Sequence, residues 1–460
     1  MQAANHHCRT PLFYQMLPNR SNSRYSGCGM GALDHLIRDY AEPVKDPVWN
    51  NILLSPALLR LIALPAFQKL NGIRQLGPTY LVYPGATHTR LSHSLGVFHL
   101  ARRLMLNLLA HAEAPGRMPE AAREPEAVRA FLCAALLHDL GHYPFAHSLK
   151  ELEVASHESL TAARVLEPDF SGVLRREVGT DPELVAAIVD ARRAGPGGEA
   201  LAFYRRLLSG VLDPDKLDYL NRDAYFCGVP YGVQDVDFIL EEVSPDAARG
   251  ISISRKGITA LENLLFSKYL MYRTVYWHKT VRIATAMIKK AIAMALDEGS
   301  LRREELYGLD DEEFFSRFTE SRFAGFRLIA DVRTRALHKQ VFRVPFDESN
   351  AAHRRLERVG ERLAREAEIA RDLSSVLGRR VPPESIVVDV PEHISFEIDI
   401  PLSDPVGPGN AAGLDASSVF GRLGGADFSR ALRAISVCAR REQDLVDAVG
   451  RFDLSRYLGR

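Results

Sequence analysis

His93, the adjacent pair His138 and Asp139, and Asp215 are side chains of the right types to share one divalent cation. Two imidazoles and two carboxylates suit a borderline ion such as Mn, Fe, Co, Ni or Zn. Four protein ligands leave an octahedral ion two positions for water and substrate, and leave a tetrahedral ion none. Catalysis would therefore call for the higher coordination number. The central pair belongs to AALLHDLGHYPFAH (134–147), where histidines and one aspartate stand among apolar and small residues. A buried Asp needs a cation or hydrogen-bond donors, so this segment asks for partners elsewhere in the chain. Taken singly, each position also has a structural explanation. His93 fits a core histidine on an amphipathic helix. Asp215 fits the positive end of a helix with Asp213 as N-cap and Pro214 at N1.

The elements that must position these groups read as helices. Apolar spacing predicts helices over 55–70 (interrupted at Pro65), 91–112 and 126–140, the last stopped by Gly141 and Pro144. Further helices are expected over 157–166, 182–191, 200–209 and 214–227, followed by a very long one over 258–297. His93 then lies near the start of one helix, His138 and Asp139 at the end of another, and Asp215 opens a third. ISISRKG (251–257) alternates like a short strand. Beyond Gly299, helices are expected at 310–319 and 351–377. Strands are expected in ESIVVDVP (384–391) and ISFEIDIP (394–401), a loop over 404–413, and a last helix over 428–449. The fold class expected is mostly α: a helical core over 41–300 and a smaller α+β region over 301–460. Residues 1–40, rich at the start in Asn, Arg, Ser and Gly, are expected to form a disordered extension.

Composition narrows the class. The chain has 460 residues, 46% hydrophobic and 25% charged, with a formal net charge of zero. A protein that binds nucleic acid through bulk charge carries a basic excess, which is absent here. The five cysteines, Cys8, Cys28, Cys133, Cys227 and Cys438, are far apart and form no CxxC pair. That argues against a disulfide framework and a Cys-ligated zinc, and for reduced thiols in a cytoplasm. No apolar run reaches transmembrane length and no signal core follows a basic start.

The text around the four positions resembles the HD-domain phosphohydrolases, and within them the deoxynucleoside triphosphate triphosphohydrolases. It does so through KDPVWNNILLSPALLRLI, FQKLNGIRQLGPTYLVYPGATHTRLSHSLGVFHLARRL, ALLHDLGHYPFAHSL, HESL, VLDPDKLDYLNRDAYFCGVPYG and YRTVYWHKTVR. The resemblance implies that His93, His138, Asp139 and Asp215 bind the metal (Mn, Fe, Mg, Co, Ni or Zn), with a further Mg accompanying the triphosphate. It implies that His142 faces the attacking water and the α-phosphate, that His147 contacts phosphate, and that His157 is the general acid for the leaving oxygen. Arg90 would bind phosphate as a planar fork. Gln75 and Leu76 would line the sugar site and exclude a 2′-hydroxyl. Lys216 would neutralise phosphate, Tyr219 would pack on the sugar, and Asp223 would accept from the 3′-hydroxyl. Lys268 and Tyr276 would lie near phosphate and base. The implied reaction is attack of a metal-activated water at the α-phosphate, releasing deoxynucleoside and inorganic triphosphate. The implied partners are a dNTP substrate and further copies of the chain, as a dimer or tetramer. No membrane is implied, and nucleic acid is not favoured. The C-terminal region would be regulatory or an assembly surface.

The match departs in places. Trp49 and Asn50 stand where the family has His and Gly. Lys150 stands where an Asp orients the acid histidine. Lys268 replaces a phosphate-binding Arg. Ala63 and Asn71 replace an activator-binding Asp and Arg of vertebrate members. The competing readings are an HD phosphohydrolase for a monophosphate, cyclic or signalling nucleotide, a non-catalytic nucleotide sensor, and a nuclease.

Overall fold

A computed structural model describes residues 30–112, 117–394, 400–403, 430 and 432–459. The chain enters through helix α1 (Met30–Arg38) and an antiparallel hairpin, β1 (Glu42–Asp46) and β2 (Asn50–Leu54), in register from Glu42↔Leu54 to Asp46↔Asn50. Asp46 closes the turn by accepting from the amides of Val48 and Trp49 at 2.9 and 2.8 Å.

Helix α2 (Arg90–Ala110) is buried on nearly every face and runs through the centre of the first core. It packs against α3 (Pro125–Leu137), in which every residue from Ala130 to Leu137 is buried. It also packs against α7 (Pro214–Cys227), whose N-cap Asp213 accepts from the Lys216 amide. Between α3 and α7 lie α4 (His157–Val165), α5 (Pro182–Val189) and α6 (Gly198–Leu208). A second hairpin, β3 (Val243–Asp246) and β4 (Gly250–Ile253), leads to α8 (Ile258–Met271) and α9 (Lys279–Asp297).

The rest of the chain builds two further cores. One joins Tyr143 and Leu149 to Met287 and Ile288 of α9, Phe314 and Phe318 of α10 (Asp311–Thr319), and Val387. The other covers a three-stranded antiparallel sheet, ordered β5 (Lys339–Pro345), β7 (Ala434–Ala439), β6 (Ile386–Asp389), with α11 (Val359–Leu377) and α12 (Gln443–Arg451). Each fully buried Leu, Ile or Phe in these cores contributes roughly 1.5–3 kcal/mol. The molecule is thus mostly helical with a few small sheets.

Several boundaries differ from the sequence reading. Residues 30–38 of the expected extension form α1, with Leu36 buried in the first core. The long helix over 258–297 is broken by a π-turn over Tyr272–Tyr276, after which the His278 side chain caps α9. The helix over 351–377 is likewise two, Ala351–Arg355 and α11. The expected last helix over 428–449 is interrupted by β7, because ISVCA pairs with strands on both sides. Residues 1–29, most of ISFEIDIP (395–399) and the loop at 404–413 lie outside the described residues. Among the described residues no helix is long and apolar enough to cross a membrane.

Candidate metal centre and its cleft

Three helix ends meet at one point. His93, in the first turn of α2, places Nε2 2.9 Å from Oδ1 of Asp215 in the first turn of α7. His138, at the C-cap of α3, lies 3.9 Å from the same oxygen. The Asp139 carboxylate is 3.4 Å from His138 Nε2 and 3.9 Å from His93 Nε2. His93, His138 and Asp215 offer ligand atoms all within 4.8 Å of one another, a group that could hold a metal ion.

The imidazoles are set up as ligands. His93 Nδ1 is 2.8 Å from Asp218 Oδ2, and His138 Nδ1 is 2.9 Å from the Ala135 carbonyl. Donating through Nδ1 fixes each tautomer and leaves the Nε2 lone pair for the shared point. The donor chemistry therefore fits a borderline divalent ion.

Behind His93 runs a buried charge chain that sequence reasoning missed. Asp218 accepts from His93, from Arg222 Nε at 2.8 Å and Nη2 at 2.9 Å, and from the Trp49 indole at 2.5 Å. Arg222 reaches on to Asp46 at 2.7 Å, tying the β1–β2 turn to the metal-ligand histidine. Trp49 thus supplies a donor from the position where the family has His. Gly96 makes room for this chain: a Cβ there would overlap Asp218 and Arg222. The signal was Asp218 itself, one helical turn after Asp215.

Electrostatics follow from burial and partners. Burial alone would lower the His93 pKa, but its bonds to Asp215 and Asp218 raise it to about 10 in the metal-free protein. Burial would raise Asp215, but His93 holds it at about 2. Asp139, desolvated yet surrounded by His142, His138 and Arg90, stays well below the carboxylate range.

Beside this centre three more histidines converge. His142 Nε2 and His147 Nε2 are 3.2 Å apart, and the His142 and His157 rings are 3.9 Å apart. They meet because α4 docks onto the turn after α3. Thr161 Oγ1 donates to the His138 carbonyl at 3.0 Å and accepts from the Gly141 amide at 2.8 Å. Gly141 permits the approach, since a Cβ would strike the Thr161 amide and the His157 carbonyl. Burial, aided by neighbouring cations, pushes His147 and His157 down to about 3. His147 is exposed to the cleft even so, because the cleft runs deep into the fold.

A cleft of about 810 Å³ connects these groups. Of the residues expected from sequence, Gln75, Leu76, Arg90, His93, His138, Asp139, His147, His157, Asp215, Tyr219, Asp223 and Tyr276 line it. His142 sits behind His147 and His157 and against Asp139, 3.2 Å from Oδ1. Arg90 pairs with Asp139 at 2.7 Å as well as facing the cleft. Asp223 already accepts from Tyr276 at 2.7 Å and lies 2.8 Å from buried His88. Two of the expected residues do not line the cleft. Lys216 turns to Asp213 and the Gly210 carbonyl at 2.5 and 2.7 Å, and it does not line the cleft. Lys268 is buried on α8 and does not line it either. The cleft's cations are instead Arg74, Lys150, Arg282, Lys289, Arg362 and Arg433, with Arg90. Three of these, Lys289, Arg362 and Arg433, come from beyond Arg282, where the resemblance ends.

Comparisons with known proteins agree with this geometry. Residues 90–218 match the HD domain, and residues 235–399 match the HD associated region. The uncharacterized protein YwfO of Bacillus subtilis is 32% identical over 319 residues, 65% of this chain and 70% of YwfO. Uncharacterized protein MJ1154 of Methanocaldococcus jannaschii is 34% identical over 271 residues, 58% of this chain but 53% of its own length. The human deoxynucleoside triphosphate triphosphohydrolase SAMHD1 is 27% identical over 357 residues, 67% of this chain and 56% of SAMHD1. Two of these three relatives are therefore matched over little more than half their length. A hypothetical protein from Aquifex aeolicus shares the fold at a TM-score of 0.66 and 26% identity, covering 89% of this chain and 98% of that one. A phosphohydrolase from Bacteroides thetaiotaomicron shares it at a TM-score of 0.62 and 23% identity, covering 87% and 100%. With the HD signature pair at the meeting point of three helices and these relatives on both sides, the chain belongs to the HD-domain phosphohydrolase family, and within it resembles SAMHD1.

Proposed function

We propose that this protein hydrolyses deoxynucleoside triphosphates to deoxynucleoside and inorganic triphosphate. One observation carries the reading. A single cleft is lined both by the His93, His138, Asp139 and Asp215 group and by Gln75, Leu76, Tyr219, Asp223 and Tyr276, the set suited to a sugar and base. A divalent ion held by the first group would supply Lewis-acid activation of water and of the α-phosphate. The chain's own residues do the rest. Arg90 and His147 present N–H donors to phosphate oxygens. His142, held against Asp139, keeps His147 and His157 in place. His157 hands a proton to the departing 5′-oxygen. Because burial keeps His157 neutral in the ligand-free protein, that proton must be taken up together with the anionic substrate, whose charge favours the imidazolium. Leu76 and Gln75 press on the sugar, and Asp223, braced by His88 and Tyr276, accepts from its 3′-hydroxyl through lone pairs still open.

A second reading, hydrolysis of a different nucleotide, is favoured by one observation: Lys216 and Lys268 do not reach the cleft. One assay separates the two. The purified protein is incubated with each dNTP and NTP, singly and mixed, with Mg, Mn, Fe or Co, and the products are resolved. Deoxynucleoside plus triphosphate is expected. Pyrophosphate plus monophosphate, or no product under any condition, would overturn the reading.

A further inference from the structure

Trp49 lies outside the cleft, in the turn between β1 and β2, yet its indole ends on the carboxylate that supports the metal centre. The turn is built to deliver it. Asp46 Oδ1 accepts from the Val48 and Trp49 amides, and Asp46 Oδ2 accepts from Arg222 of α7. Asn50, at φ 62°, takes the left-handed backbone that Asn adopts more readily than most residues. The indole then lies beside α2, its ring centroid 6.0 Å from that of His99 and the two planes 25° apart. Its Nε1 donates to Asp218 Oδ1 at 2.5 Å.

Each Asp218 oxygen has two such partners. Oδ1 accepts from Trp49 Nε1 and Arg222 Nη2, and Oδ2 accepts from Arg222 Nε and lies 2.8 Å from His93 Nδ1. The four lone-pair sites of the carboxylate are then in use. Arg222 comes from the same helix as Asp218, so Trp49 is the donor that ties the group to a distant segment opposite His93. Neither Trp49 nor Asp218 lines the cleft, so contact with a substrate does not account for the arrangement.

We infer that Trp49 is a positioning residue for the metal. Its indole N–H holds the Asp218 carboxylate in the orientation that presents His93 Nε2 to the ion. An indole is a donor only, with no second tautomer and no charge. It completes the hydrogen bonding of Asp218 without adding a cation that would weaken the carboxylate's hold on His93. The inference concerns the ion rather than the nucleotide, so it goes beyond the triphosphohydrolase reading and stands for any phosphoester this centre cuts.

The test uses the full-length protein and isothermal titration with manganese, the heat lost in His138→Ala marking this centre. Trp49→Phe keeps an aromatic ring and removes the N–H. It should weaken manganese binding about tenfold. Trp49→His returns a ring N–H and should recover about threefold of that loss. Thermal melts of the metal-free proteins check that both variants are folded. The protein holds two tryptophans, so isotope-labelled indole nitrogens give two signals, and Trp49→Phe assigns one of them. That signal should move as diamagnetic zinc fills the centre. Wild-type manganese affinity in Trp49→Phe, no recovery in Trp49→His, or an indole signal unmoved at saturating zinc would each overturn the inference. Weakened manganese binding in Trp49→Phe, with no dNTP hydrolysis by the wild type under any metal, would keep the inference and remove the triphosphohydrolase reading. Hydrolysis of dNTPs by the wild type, with unaltered manganese binding in Trp49→Phe, would do the reverse.

Discussion

At Asp218, three donors meet one buried carboxylate, Trp49 and His93 from distant segments and Arg222 from the same helix. Removing one member of such a group leaves a buried charge without its partner, at a cost of about 3–5 kcal/mol. Asp218→Asn keeps the shape but halves the acceptor capacity and unsettles the tautomer of His93. Metal affinity, read by competition with a chelating dye, should fall about 10–100-fold. An unchanged affinity would show that His93 needs no orienting partner. Asp311 gives a pH signature. Its burial outweighs the neighbouring Arg74 and raises its pKa to about 6. A carboxyl whose folded pKa lies above its unfolded value favours folding while protonated and opposes it once ionised. Wild-type stability should therefore fall relative to Asp311→Asn as pH rises from below about 4 through 6, by about 3 kcal/mol in all, of which about 1.4 kcal/mol is lost above pH 5. Urea unfolding of both proteins at pH 5 and pH 8 measures it, and parallel curves would refute it. The candidate metal ligands stood out in the sequence because His and Asp in an apolar setting have few other uses, and the fold brings ligand atoms of His93, His138 and Asp215 within 4.8 Å of one another. Asp218 was not, since a helical carboxylate reads as solvated until the fold brings up a histidine 125 positions away.

Helix α4 reaches the metal-site turn through one hydroxyl, that of Thr161. Thr161→Val would leave the Gly141 amide and the His138 carbonyl short of a partner, destabilising the protein by about 1–3 kcal/mol. Thr161→Ser should recover most of it in a thermal melt, and equal losses in both would point to the methyl group instead. Helix boundaries in the first half were readable because Pro, Ser and Asp caps coincide with apolar periodicity, as at Asp213 and Pro214. The break between α8 and α9 was not, since the apolar pattern continues through it. Only the cluster of Tyr272, Thr274, Tyr276 and Trp277, with a capping His278, hints at the interruption that brings those rings to the cleft. β7 failed for the opposite reason. ISVCA is short and mostly apolar, and its strand character comes from its two neighbours.

Across the whole molecule, an ion at the candidate metal centre would add a further link between the ends of α2, α3 and α7, which already meet through packing, the His93–Asp218 hydrogen bond and the Arg90–Asp139 pair. A ligand that binds only the folded state stabilises it by mass action. A divalent ion at a hundredfold excess over its Kd should add about 2.7 kcal/mol. Mn should therefore raise the unfolding midpoint, a chelator should reverse the shift, and His138→Ala should show none. A full shift in His138→Ala would mean the ion sits elsewhere. The cleft that serves this centre also takes lining from α9, α11 and the approach to β7, so the C-terminal region is part of the site's wall. The sequence could not convey this. Lys289, Arg362 and Arg433 carry no local pattern, and only packing brings them to the histidines.

The missing side chain of Gly96 has a consequence for anyone engineering this protein. A glycine inside a long helix costs about 1 kcal/mol in propensity, so stabilisation campaigns would place Gly96→Ala high among their substitutions. Here the added methyl would push Asp218 and Arg222 away from α2 and turn His93 loose. A library scored on heat resistance alone would be drawn to a position where the helix improves and the catalyst is lost.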